Sequence, residues 1–192
     1  MSARGALMGN RGILHDAERR VTKPWAHNHW VACVLSFQGR RQTLFAPGRY
    51  SQLFFLDEAT SLAAGHRPCA HCQRDRHVAF RTAWQRANAD RYTVRTIDDL
   101  DRALHAERAV RGGGKRTFEV RREELPDGAM FEQSGSAYLA WRGASLAWSF
   151  EGYSRTGSDA TPRSVVTVLT PPSIVRVLRE GFVPDVHRTA GR

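Results

Sequence analysis

The sequence predicts an α+β protein, with a mixed N-terminal half and a β-rich C-terminal half. Three observations predict it. Residues 30–110 combine period-two apolar alternation with helical apolar stripes. Residues 118–169 are short apolar runs cut by glycine-containing turns. Between them stands Gly112-Gly113-Gly114-Lys115, the most flexible joint in the chain. We therefore expect a basic arm or irregular segment over 1–29, an α+β domain over 30–110 and a small β-rich domain over 118–192.

The elements follow in order. Val31, Cys33, Leu35 and Phe37 alternate with Ala32, Val34 and Ser36, which is strand periodicity. Gln38-Gly39-Arg40 turns the chain, and 42–46 is expected to return as a second strand. Residues 52–56 form a short apolar strand. Asp57 caps a helix over 58–64, stopped by Gly65. Pro68 suits the first turn of a second helix reaching about residue 88, with Val78, Phe80, Trp84 and Ala87 as its stripe. Thr96 and Asp99 form a capping pair for a third helix, whose core face is Ile97, Leu100 and Leu104. Short strands are expected near 119–122, 130–132, 137–141, 145–149 and 164–169. A last helix capped by Thr170 turns Ile174, Val177 and Leu178 inward and ends at Gly181.

Charge narrows the function classes. Twenty-nine Lys and Arg face nineteen Asp and Glu, a formal +10 over 192 residues. Such a surface attracts polyanions, because neutralising phosphates releases condensed counterions. Nucleic acid, DNA more than RNA, is the expected partner. Only Lys23 and Lys115 are lysines, so arginine supplies nearly all the charge. Arg40, Arg41, Arg67, Arg74 and Arg76 are the candidate phosphate contacts. No apolar stretch has the length of a membrane span and the N-terminus lacks a signal-peptide core, so a cytoplasmic, thiol-reducing setting is expected.

In that setting Cys69-Ala70-His71-Cys72 reads as metal or redox chemistry rather than as a disulfide. Two thiolates at a helix start reach one zinc ion, and the helix dipole favours their ionised form. Cys33 is the only other thiol. It is either a third ligand or a core residue alternating with Val31 and Leu35. His15, His27, His29 and His105 are further candidate donors, while His66 suggests packing and His71 points elsewhere.

The string Leu53-Phe54-Phe55-Leu56-Asp57-Glu58-Ala59, then Ala63-Ala64-Gly65-His66-Arg67-Pro68-Cys69-Ala70-His71-Cys72, resembles the metal-binding domain of the Ada family of DNA-repair proteins. The match covers residues 53–76. It implies a strand, a short helix, the C-x-x-C and a second helix, with Cys69 and Cys72 as zinc ligands. In that family two further ligands come from an upstream Cys-x-x-x-Cys, one of which accepts a methyl group from DNA. Residues 37–46, where that pair would lie, contain no cysteine. The methyl-acceptor role is therefore not implied.

A rival constellation exists. Zinc deaminases combine H-x-E with P-C-x-x-C. His105-Ala106-Glu107 and Pro68–Cys72 supply these parts in inverted order. It would make Glu107 the catalytic proton carrier and His105 a metal ligand. A third reading is a metal-free remnant of the Ada-like scaffold.

Overall fold

The computed structural model describes residues 5–39, 43–155 and 163–191. Its elements run β1 (Leu7–Asn10), β2 (Val31–Val34), β3 (Leu53–Phe55), α1 (Glu58–Ala63), β4 (Arg67–Pro68), α2 (Arg74–Ala87) and α3 (Ile97–Arg108). There follow β5 (Phe118–Arg121), β6 (Met130–Gln133), β7 (Ser136–Trp141), β8 (Ala144–Ser149), β9 (Gly152–Arg155), β10 (Val165–Val168) and α4 (Pro172–Arg179). Four strands form one sheet in the order β3-β1-β2-β4, and six form a second in the order β5-β10-β6-β7-β8-β9. The α+β class is as expected.

Local chemistry accounts for the helices that the sequence marks. Asp57 accepts from Thr60 N at 2.9 Å and Thr60 Oγ1 returns to the Asp57 backbone, closing a capping box on α1. Thr96 and Asp99 do the same for α3. All six residues of α1 are buried, because the helix is wedged between two apolar clusters. Leu62 joins Phe80, Trp84, Leu100, Leu104 and Phe131. Ala59 and Ala63 join Met130, Leu139, Trp141 and Leu146. Met130 and Phe131 are neighbours on β6, so the alternation of one strand serves both clusters and the six-stranded sheet is covered on both faces.

Four expectations are corrected. The stretch 1–29 is not an arm throughout: Leu7–Asn10 is an inner strand paired with both β2 and β3. Residues 43–46 form no strand. Phe45 has φ 52° and its N–H donates to Gln52 Oε1, which turns the chain instead. Pro68 does not open a helix. It lies on β4, at the edge of its sheet. The N–H groups of Arg67 and Cys69 donate to Trp30 O and Ala32 O of the β2 side at 3.1 and 2.9 Å. The nitrogen of Pro68 points away from that ladder, so its missing proton costs no bond. Finally, Gly112–Gly114 makes a tight turn, with Gly113 N donating to Val110 O and Lys115 bridging to Ala109. The cluster around Trp84 draws on both sides of this turn.

A buried ion pair clamps β4 to α3. Arg67 donates through Nε and Nη2 to the two Asp101 carboxylate oxygens at 2.8 and 2.7 Å, and His29 meets the same carboxylate at 2.8 Å. Asp101 is fully buried.

Two outcomes are expected in urea unfolding followed by circular dichroism. Because one core spans the Gly112–Gly114 turn, the chain unfolds in a single transition; two resolved transitions would contradict this. Asp101→Ala, which leaves Arg67 buried without its partner, loses about 3–5 kcal/mol, and an Arg67→Met/Asp101→Leu chain loses much less.

Candidate metal centre

The centre is assembled by the short parallel pairing of β2 and β4. Its register sets Ala32 opposite Pro68, so Cys33 and Cys69 follow side by side. The chain then turns, with Gln73 N donating to Cys69 O at 3.0 Å. Gln73 Nε2 donates back to Ala32 O at 2.7 Å, fastening the turn to β2. Cys72 thereby returns to its two partners. The three sulfurs lie within 4.8 Å of one another, and all three side chains are half-buried.

The cysteine pair thus sits on the β4–α2 turn and not in the first turn of a helix. The dipole of α2 is not what ionises it. The Cys33 thiol donates to Cys69, and the backbone N–H groups of Cys72 and His71 add to this; together they pull Cys69 down to about 4 against the opposing effect of burial. Cys33 is raised by the same bond, then by burial and by its sulfur neighbours. Cys72 is raised chiefly by burial. The trio therefore holds one thiolate and two thiols that donate within the group.

Three thiolates suit a tetrahedral soft-to-borderline cation. A zinc–sulfur bond of about 2.3 Å sets sulfurs about 3.8 Å apart. The observed upper limit of 4.8 Å is about 1 Å wider than this. Among the described residues no His, Asp or Glu joins the three cysteines. On their open side lies a cavity of about 320 Å³. Its walls include Met8, Leu35, Phe37, Leu44 and Phe54, and among the described residues no Lys, Arg, Asp or Glu lines it. His71 stands at its rim, edge-on to Phe37 with ring centroids 4.9 Å apart.

The other candidate residues lie elsewhere. His105 packs against Trp25 and Trp30, with centroids 5.3 and 5.7 Å away, and burial lowers its basicity. It is outside the cysteine group. Glu107 accepts from Ser173 N at 2.9 Å, Ser173 Oγ at 2.5 Å and Tyr92 OH at 2.8 Å. It ties α3 to the start of α4, so the inverted deaminase constellation is not brought together. His66 is buried as a packing residue, between Trp30 and Phe55.

Of the candidate phosphate contacts, Arg67 is spent on Asp101. Arg76 pairs with Glu58, donates to Val183 O and covers the Phe182 ring. Arg74 is exposed in the first turn of α2. Arg40 and Arg41 lie outside the described residues.

Sequence reasoning missed the cavity wall. Met8 reaches it because β1 pairs antiparallel with β2 and sets Met8 opposite Cys33. One signal was present for Cys33. It has the opposite parity to the buried residues Trp30 and Ala32, so it belongs to the other face of β2.

In metal-free protein, iodoacetamide is expected to alkylate Cys69 ahead of Cys33 and Cys72. A lowered pKa keeps Cys69 ionised across the neutral range. Its rate should hold between about pH 8 and about pH 6 and fall only as pH nears 4. Peptide mapping by mass spectrometry checks both the order and the profile. Comparison of the chain with family models, with curated proteins and with solved structures yields no match.

Proposed function

We propose that this chain is a zinc-binding protein that engages nucleic acid, an Ada-like metal module without that family's upstream cysteine pair. The observation that carries the metal is the meeting of Cys33, Cys69 and Cys72 within 4.8 Å. Their sulfurs would hold the ion, which contributes Lewis acidity and the cross-linking of β2 to the β4–α2 turn. Replacing two thiol protons by one cation removes the crowding of ionisable sulfurs and joins segments distant in sequence, so metal binding here is folding free energy.

The nucleic-acid reading rests on the +10 charge and on exposed arginines such as Arg74 on α2. Among the described residues the cavity offers a phosphate no Lys or Arg. Backbone contacts are assigned to the surrounding arginines, where they position the chain without reading bases.

One observation favours a second reading, a metal-dependent enzyme. The group has three protein donors rather than four, and its open side faces the cavity. Structural zinc sites are closed by four protein ligands, whereas catalytic ones keep a position for water or substrate. X-ray absorption of the zinc-loaded protein separates the two: outer-shell imidazole scattering beside three sulfurs marks a fourth protein ligand and a closed site, whereas a single oxygen without it marks the open site.

Elemental analysis of protein purified without added metal should give one zinc per chain. Cys33→Ala should lose it, as should Cys69→Ser. Unchanged zinc in the Cys33 variant would remove that residue from the site. For nucleic acid, titration of labelled duplex at two salt concentrations should show steep weakening with salt. Arg74→Gln should reduce the log–log slope by about 0.9 if it contacts a phosphate. Undetectable binding at low salt would end the nucleic-acid reading and leave the metal site standing.

A further inference from the structure

We infer that the C-terminal end of α1 is an anion site, built to take the dianionic phosphate of a phosphate monoester or of free inorganic phosphate. It is separate from the cysteine centre and independent of the zinc reading. Three cations from distant parts of the chain converge on three consecutive carbonyls. Lys115 Nζ donates to Ala63 O at 2.5 Å, Arg11 Nη2 to Ala64 O at 3.2 Å, and Arg108 Nη1 to Gly65 O. The approach of Arg108 requires Gly65, which has φ 79° and where a Cβ would lie 2.5 Å from Arg108 Cδ. Both guanidinium groups lie over the Trp30 ring, with Arg11 Cζ 3.8 Å and Arg108 Cζ 4.3 Å from its centroid.

No carboxylate of the described residues bonds to this cluster directly. Among the described residues no ion pair includes Arg11, Arg108 or Lys115. The carboxylates that act on Arg108 are Asp101, already held by Arg67 and His29, and Glu107, already held by Ser173 and Tyr92. The end of a helix offers about half an elementary charge, against two guanidinium groups and an ammonium. Arg108 is 1% exposed. Burying like charges together is strongly unfavourable unless a counter-charge joins them.

Unused donors accompany the missing charge. His66 is fully buried. Its Nε2 accepts from Arg11 Nε at 3.2 Å, which leaves the proton on Nδ1, and that nitrogen has no partner. Arg108 Nε is likewise buried without one. Beside them runs Gly112–Gly114, all three residues in the left-handed region, and no atom lies within 4 Å of the Cβ positions of Gly112 and Gly113. A glycine turn leading into a lysine gives an anion close approach to main chain and ammonium together. Burial, then Arg11 and Arg108, pulls Lys115 down to about 7, the behaviour of a cation short of a counter-ion. An internal phosphodiester of a duplex does not reach buried heads, whereas a terminal or free phosphate does.

The test is titration calorimetry and thermal unfolding of the full chain with inorganic phosphate, in phosphate-free buffer at constant ionic strength. A saturable rise in Tm is expected. Lys115→Met and Arg11→Met should each weaken phosphate binding at least tenfold. Lys115→Met should unfold no lower than the parent without phosphate, because it removes one of three like charges. Arg86→Met, an equal loss of charge at an exposed position of α2, should keep the full response. Absence of a response in the parent chain, an undiminished response in both cluster variants, or an equal loss in Arg86→Met would overturn the inference. Competition with a 5′-phosphorylated and a 5′-hydroxyl oligonucleotide assigns the source. Displacement by the phosphorylated strand alone supports the site with a nucleic-acid end as its ligand, and displacement by neither supports it with free phosphate.

Discussion

The bidentate pair between Arg67 and Asp101 is the constraint on which the cysteine centre depends. A two-residue strand has little pairing energy of its own. Arg67–Pro68 holds its place beside β2 because Arg67 is anchored, on its other side, to a carboxylate that α3 carries into the interior. The pair is desolvated, so its net contribution to stability is modest, yet removal of either partner strands a charge. What it supplies is position. With β4 fixed, Cys69 stands next to Cys33, and the following turn brings Cys72 back to both. Cys33 then meets a pair of sulfurs more than thirty residues further along the chain, without any of the three lying on a long element.

That dependence explains what could be read from the sequence and what could not. Asp57 with Thr60 and Thr96 with Asp99 are local chemistry, and both helix starts were legible from it. Five of the six short strands of the C-terminal half were legible because turns separate them, and Gly152–Arg155 was not. The strand over Leu7–Asn10 was not, since four residues with one glycine carry no periodicity. It exists because β2 and β3 flank it. Pro68 misled for a related reason. Proline suits both a helix start and a sheet edge, and only the bonds made by its neighbours decide between them. At the site, Cys69 and Cys72 were legible from spacing. Cys33 was ambiguous because alternation along β2 has two faces, and the partner strands determine which face meets the cysteine turn.

The same argument corrects the use made of charge. A formal +10 suggests a basic surface, and part of it is one. However, Arg11, Arg67, Arg108 and Lys115 turn their charges inward, and Arg122 is buried against Ser145 Oγ and Ala144 O. Composition counts these residues with the exposed ones, although they have no part in a nonspecific electrostatic footprint. The exposed positive surface is therefore built from fewer arginines than the sequence offers, with Arg74 exposed and Arg67 buried.

The inward charges also divide the molecule chemically. The cavity above the cysteines is lined mostly by apolar and ring side chains and has no Lys, Arg, Asp or Glu among the described residues. The end of α1 gathers three cations that no carboxylate of the described residues bonds. Both regions are tied to the segment from Leu53 to Cys72, one through Cys69 and Cys72, the other through the carbonyls of Ala63, Ala64 and Gly65. Because Arg67 stands between Gly65 and Cys69 in the chain, its anchor on Asp101 holds both in register. A shift of that short strand would move the carbonyls away from their cations and the cysteines away from each other in the same step.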